Sequence, residues 1–170
     1  MTMLRSLTLF LAAAVIAGLA MFGSTKDASA SGAFTFFAVL NGQSECTGMP
    51  PSCHKGDLDA FGAATILLVP GATPKVCYGI VTDNLAENIT AAHIHTGATG
   101  VAGPIVVTLS PAGAMAPGDP RGWGGCAGAG QGVSATVINQ IKANPQAFYV
   151  NVHTAAPNGF PAGAIRGQLF

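Results

Sequence analysis

Apolar and polar residues alternate over several short segments of this chain, which is the pattern of β-strands with one buried face. Turn-forming pairs such as Asn41-Gly42 and Pro70-Gly71 separate the segments. The pattern predicts seven strands, at residues 34–40, 61–69, 76–82, around His93 and His95, and at 105–109, 147–153 and 164–169. The first has apolar residues on both sides, so we expect it to be buried on both faces. Seven short strands predict an all-β sandwich or barrel with Greek-key connections.

One helical segment interrupts the strands. Ser134 is a suitable N-cap, the apolar positions after it recur at helical spacing, and Pro145 provides a stop signal. Residues 110–132, in contrast, are rich in Gly, Ala and Pro. They show neither the alternation of a strand nor the apolar spacing of a helix. We therefore expect a long surface loop there, tied down through Cys126.

The first 30 residues have the organisation of a secretory signal peptide. Arg5 supplies a positive start, residues 7–22 are almost entirely apolar, and Ala28-Ser29-Ala30 matches an Ala-x-Ala cleavage site. The apolar run is short for a membrane anchor. We expect cleavage after Ala30, leaving residues 31–170 as one secreted or periplasmic β domain without a membrane span.

The predicted mature chain is nearly neutral. Without Arg5, Lys26 and Asp27 it keeps five basic and six acidic residues, a formal net charge of 5 − 6 = −1. A protein that neutralises phosphates needs clustered Lys and Arg, so nucleic acid is a poor candidate partner. The expected partner is an extracellular protein or a surface ligand.

All four cysteines lie in the predicted mature chain, and an even number in an exported protein predicts two disulfides. We expect Cys46 to pair with Cys53 across a short loop, and Cys77 to pair with Cys126 across distant segments. Count and spacing leave the two other pairings open.

Three histidines lie in two of the predicted strands. His93 and His95 are two residues apart, so both imidazoles lie on one face of a strand, and His153 occupies a matching position near the C-terminus. Neutral imidazole suits Cu, Zn and Ni. The three could hold one ion if their ring nitrogens lie within about 4 Å of one another, with His54 as a candidate fourth ligand. The alternative is that they donate to backbone carbonyls and stabilise strand ends.

Three further polar residues are interpreted as structural. A buried Asn151 needs hydrogen-bond partners, which the turn at residues 96–103 or a histidine ring could supply. Arg166 could do the same or pair with Glu45 across the sheet, and Tyr149 is expected to be a half-buried packing residue.

No catalytic residue is predicted, because the chain has no nucleophile elbow, no phosphate-binding glycine loop and no pair of carboxylates that stands out. Asn88-Ile89-Thr90 is an N-glycosylation sequon, which matters only if the chain is exported through an endoplasmic reticulum.

Two motifs resemble the signatures of the CHRD domain, a module repeated in chordin and found singly in many bacterial secreted proteins. The first motif is residues 92–104, AHIHTGATGVAGP. The second follows in the expected place, at residues 149–154, YVNVHT, and 163–169, GAIRGQL. The chain departs from the family pattern at Glu45, where a cysteine-containing insertion replaces Glu-Val-Pro-Pro, and at Ala164, where an acidic residue is usual.

The resemblance implies an immunoglobulin-like β-sandwich or barrel related to Cu/Zn superoxide dismutase. That enzyme binds copper through a His-x-His strand pair and a later strand histidine, which correspond to His93, His95 and His153. A full copper–zinc site needs six histidines and an aspartate, whereas this chain has four histidines. A copper-only site remains, although no residue demands a cofactor.

Two functions follow from the resemblance. The first is a non-enzymatic extracellular binding or structural module. The alternative is a copper-binding or copper-only dismutase-like protein. In chordin, growth factors are bound through other modules, so that role does not transfer.

Overall fold

A computed structural model describes residues 32–45, 53, 55–109 and 121–170. The predicted signal peptide, Cys46 and His54 lie outside these ranges, and the predictions made for them stay predictions.

Eight strands and one α-helix make up the regular structure of the described residues. The strands are β1 (Phe34–Asn41), β2 (Phe61–Val69), β3 (Lys75–Asp83), β4 (Ile89–Thr96), β5 (Ile105–Thr108), β6 (Arg121–Ala127), β7 (Phe148–Thr154) and β8 (Ile165–Gln168). The helix, α1, comprises Ala135–Ala143 and begins at Ser134, whose Oγ accepts a hydrogen bond from the Val137 N–H. The predicted N-cap at Ser134 is confirmed. Among the described residues α1 is the one α-helix, accompanied by short 3₁₀ helices at Gly42–Glu45, Ala129–Gln131 and Pro145–Ala147.

The strands form one antiparallel sheet in the order β5-β4-β7-β8-β1-β2-β3-β6. The neighbours β4–β7, β1–β8 and β3–β6 are not consecutive in the chain, so crossovers connect them. The sheet curls into a nearly closed barrel. At the seam, Gln131, which follows β6, donates from Nε2 to the Thr108 carbonyl of β5 at 3.3 Å. The all-β prediction is confirmed.

One face of the sheet is the core. Its largest members are at most 1 % exposed, and they include Leu40, Ile66, Leu68, Ile80, Ile94, Val150, Val152 and Ile165. Ile94 is the residue between the two histidines of β4. Because side chains alternate along a strand, the burial of Ile94 directs His93 and His95 to the opposite face.

The prediction that β1 is buried on both faces is wrong. Ala38 and Leu40 are buried, but Phe37 is 48 % and Val39 is 64 % exposed. The sheet has a single core, so the second face of β1 remains toward solvent, where the Phe37 ring lies 6.3 Å from the Phe170 ring. Apolar residues on both sides of a strand do not by themselves show which side is covered.

The prediction of a loop over residues 110–132 is wrong for residues 121–127, which form β6, while residues 110–120 lie outside the described ranges. This strand pairs with β3 along its whole length and places Cys126 opposite Cys77. Its glycines have low strand propensity, which hid the strand. At Gly124 a Cβ would lie 2.6 Å from the Tyr78 carbonyl oxygen, so the close approach of β6 to β3 requires a glycine there.

The predicted disulfide between Cys77 and Cys126 is confirmed. Cys53 is also disulfide-bonded, while its predicted partner lies outside the described residues. None of the described helices is long and apolar enough to cross a membrane.

Candidate metal centre

The pairing of β4 with β7 brings the three predicted histidines together. Ala91 lies opposite His153, and His93 lies opposite Asn151, so His153 is diagonal to His93 on the same face of the sheet. The Nδ1 atom of His93 is 3.1 Å from Nε2 of His153. One nitrogen from each of the three rings lies within 4.8 Å of the other two, a wider spread than the 4 Å expected.

These distances suit one ion after a small adjustment. In a tetrahedral site with metal–nitrogen bonds of about 2.0–2.1 Å, the ligand nitrogens are about 3.3 Å apart. His93 and His153 already have that spacing. The widest pair must close by at most about 1.5 Å, which side-chain torsions can supply.

Backbone carbonyls orient two of the rings. His95 Nδ1 is 2.8 Å from the Gly103 oxygen, and His153 Nδ1 is 3.0 Å from the Pro161 oxygen. A carbonyl only accepts, so Nδ1 carries the hydrogen in both rings and Nε2 is left with a lone pair. Metal-binding histidines have this arrangement, because the second ring nitrogen fixes the tautomer and the ring plane. The hydrogen bonds expected of structural histidines are therefore present. They leave His95 Nε2 with a lone pair, while His153 Nε2 accepts from His93 Nδ1, so a metal would replace that contact and His93 would then carry its hydrogen on Nε2.

The inner nitrogen of His95 lacks a partner. Its Nε2 is buried and makes no hydrogen bond to any described residue. An unsatisfied buried acceptor costs about 1–3 kcal/mol. A metal ion between the rings would satisfy it, so the donor set fits a metal.

The environment keeps the three rings neutral. Burial, with the neighbouring His153 and His95, lowers the pKa of His93 to about 4. Burial also lowers the pKa of His95 and of His153, against the opposing effect of their carbonyl partners. Neutral imidazole is the form that ligates a metal, so little proton release opposes binding near pH 7.

Tyr149 connects this cluster to the rest of the face, and it is only 4 % exposed, more buried than predicted. Its ring stacks on His95 with centroids 4.8 Å apart and planes 7° apart. Its hydroxyl accepts from the Gly103 N–H at 3.2 Å. Gly103 must be glycine, because a Cβ there would lie 1.6 Å from the Thr96 oxygen. Tyr149 thus holds the residue whose carbonyl orients His95.

Replacing Tyr149 with Phe tests this role. The change removes the acceptor for the Gly103 N–H and keeps the ring that stacks on His95. We expect the free energy of unfolding to fall by about 1 kcal/mol, the usual value of one such hydrogen bond. Copper affinity should fall less than tenfold, because Gly103 remains bonded to His95. Urea denaturation and copper titration measure the two effects, and an unchanged unfolding free energy would contradict the role.

Residues 36–169 match the family model described as CHRD domain. The chain belongs to the CHRD-domain family. The match spans both histidine strands and β8. Neither the curated proteins nor the solved structures contain a match to the chain.

The predicted polar residues of this CHRD domain lie beside the histidines. Asn151 has a different partner from those expected, whereas Arg166 braces the turn, which is one of the roles expected of it. Asn151 Nδ2 donates to Glu45 Oε1, not to a histidine or to the turn. Arg166 supports that turn instead, donating from Nη2 to the Ala98 oxygen at 2.8 Å, and also to Gln168 Oε1 at 3.1 Å. Its guanidinium lies 3.3 Å over the Tyr149 ring.

The carboxyl of Glu45 is 9 % exposed. Burial raises its pKa to about 7, while the charge of Arg166 and the Asn151 hydrogen bond act in the opposite direction. Arg166 therefore acts on Glu45 through its charge, because its hydrogen bonds to described residues go to the Ala98 oxygen and to Gln168 Oε1.

The three histidines predicted from the sequence lie together, but the groups that orient their rings were not predicted. Gly103 and Pro161 act through backbone oxygens, and Tyr149 was interpreted as packing alone. The glycine spacing at Gly97, Gly100 and Gly103 was the available signal, because close backbone approach is a reason for glycine in a turn. The candidate fourth ligand, His54, lies outside the described residues.

Proposed function

We propose that this CHRD-domain protein is exported and binds one copper ion through His93 Nδ1, His95 Nε2 and His153 Nε2. The observation that carries the proposal is the pair of Nδ1–carbonyl contacts, which leaves the inner nitrogens of His95 and His153 without hydrogens. Three neutral imidazoles suit copper, which also has the highest affinity among the divalent first-row metals for such ligands. His54 or water would complete the coordination.

Export is supported by the disulfide between Cys77 and Cys126, because structural disulfides form and persist in oxidising compartments. The role we assign is a non-enzymatic binding or structural module whose partner is an extracellular protein or surface ligand. The metal then stabilises the face formed by β4 and β7, since an ion that binds only the folded state shifts the folding equilibrium.

Metal stoichiometry tests the proposal. Protein purified from a secreting host, stripped with a chelator and then loaded with Cu(II), should show one copper per chain by native mass spectrometry. Loaded protein should also melt at a higher temperature than the stripped form. Failure to retain copper, or an unchanged melting temperature at saturation, would overturn the proposal.

A copper-only dismutase is the second candidate, favoured by a cationic Arg166 that lines a pocket next to His95. Such a charge would attract a small anion toward the metal. Superoxide decay followed by pulse radiolysis distinguishes the two roles. An enzyme would accelerate decay catalytically in the copper-loaded form and lose the effect in the stripped form, whereas a binding module would show the same slow decay in both.

A further inference from the structure

A pocket of about 450 Å³ lies beside the metal centre and has no role in copper binding. Of the three histidines, only His95 lines it. The volume is within the range of small-molecule sites and is far larger than a diatomic anion needs. Charged, polar and apolar groups converge on this space, so the chemistry of its walls indicates what it would take.

Two cations border the pocket. Arg166 is 1 % exposed, and its plane is fixed by the Tyr149 ring 3.3 Å away. Its hydrogen bonds to described residues all leave from Nη2, so the N–H groups on Nη1 and Nε remain for another acceptor. Lys55 lies at the exposed rim of the same pocket. A guanidinium of fixed orientation with unused donors suits a carboxylate.

Glu45 presents an acceptor to the same space. Its Oε1 is taken by Asn151, while Oε2 lies beside Gly163. A Cβ at Gly163 would lie 2.6 Å from Oε2, so the absence of a side chain keeps room at this oxygen. The Oδ1 atom of Asn151 is buried and has no hydrogen-bond partner among the described residues. Glu45 Oε2 and Asn151 Oδ1 can therefore each accept a hydrogen bond from a ligand, beside the two cations.

The third wall is apolar. Phe160, Pro161 and Ala162, in the loop between β7 and β8, also line the pocket. Pro161 also supplies the carbonyl that orients His153. A ligand that fills the pocket thus meets both a hydrocarbon surface and charged groups.

We propose that this pocket binds a small organic acid that carries a hydroxyl or amino group next to its carboxylate. The carboxylate lies between Arg166 and Lys55, the hydroxyl or amino group donates to Glu45 Oε2, and the carbon skeleton packs on Phe160 and Pro161. The site does not require a metal, so it is independent of the copper proposal.

Mandelate is a suitable probe, because it combines a carboxylate, an adjacent hydroxyl and an apolar ring. Both enantiomers are titrated into chelator-stripped protein by calorimetry at pH 8, where Glu45, with a pKa of about 7, is ionised and Oε2 can accept. Phenylacetate lacks the hydroxyl, and mandelamide lacks the charge, so each removes one recognised group. At least one enantiomer should bind saturably, and both analogues should bind about fivefold or more weakly, the effect of losing roughly 1 kcal/mol.

Matched lysine variants test the location. Lys55→Gln should weaken mandelate binding about fivefold, since it removes a cation at the pocket rim. Lys75→Gln removes an exposed lysine at the start of β3, away from the pocket lining, and should leave binding unchanged. The proposal is overturned by the absence of saturable mandelate binding, by equal binding of mandelamide, or by equal effects of the two lysine changes. Because no metal is present, none of these outcomes depends on copper.

Discussion

Replacing His95 with alanine will lower the affinity of the protein for Cu(II) at least about a hundredfold. The change removes one of three imidazole ligands, and loss of an outer partner of a ligand already costs 10–100-fold in metal affinity. It also removes the ring nitrogen that is buried without a hydrogen-bond partner among the described residues. Titration against a competing chelator measures the affinity, with circular dichroism to confirm that the variant folds.

Two controls make this result specific. Tyr149→Phe alters a neighbour of His95 and keeps all three ligands, so its effect should be at least tenfold smaller. Lys75→Gln changes an exposed residue on another strand and should have no effect. Equal copper affinity in the wild type and the His95→Ala variant would contradict the proposed copper site, whatever the stability of the variant.

Replacing Glu45 with glutamine will make the protein less sensitive to a rise in pH between about 4.5 and 7. Burial raises the pKa of the folded-state carboxyl to about 7, above the ordinary 4.5. In that window the folded chain keeps a proton that the unfolded chain has lost, so stability falls as pH rises. The full difference corresponds to about 3 kcal/mol at 1.36 kcal/mol per pH unit. Glutamine does not ionise and can still accept from Asn151.

The measurement is the unfolding free energy of both proteins from pH 4 to pH 8. The histidines act in the opposite direction, because the lowered pKa of His93, about 4, removes stability as pH falls below 6.5. This contribution is common to both proteins and cancels in their difference. As the pH rises across this window, the unfolding free energy of the variant should increase relative to that of the wild type by up to about 3 kcal/mol. A constant difference would show that Glu45 ionises normally in the folded protein.

The strands were predictable where side chains alternate. The period of two found seven strands and placed His93 and His95 on one face, because Ile94 between them is apolar and must be buried. The glycines of β6 have no side chains that could show this alternation. That strand is specified by its pairing with β3 and not by its own propensity. The exposure of Phe37 depends on which side of the sheet carries the core, which a local pattern does not contain.

The grouping of the three histidines was predictable, and the orientation of their rings was not. Histidine spacing identifies which rings share a face, but the oxygens of Gly103 and Pro161 reach the rings only through the paths of two loops. Glu45 is 106 residues from Asn151 in sequence, and its partner is decided by the packing of β1 and the following turn beside β8. Contacts of this kind depend on tertiary structure and produce no periodic pattern in the sequence.

Anomalous diffraction at the copper edge, on crystals of the copper-loaded protein, tests the proposed three-histidine copper site. We expect one strong peak per chain, about 2.0–2.3 Å from His93 Nδ1, His95 Nε2 and His153 Nε2. A peak elsewhere in the chain, or a copper bonded to the other nitrogen of His95 or His153, would contradict it.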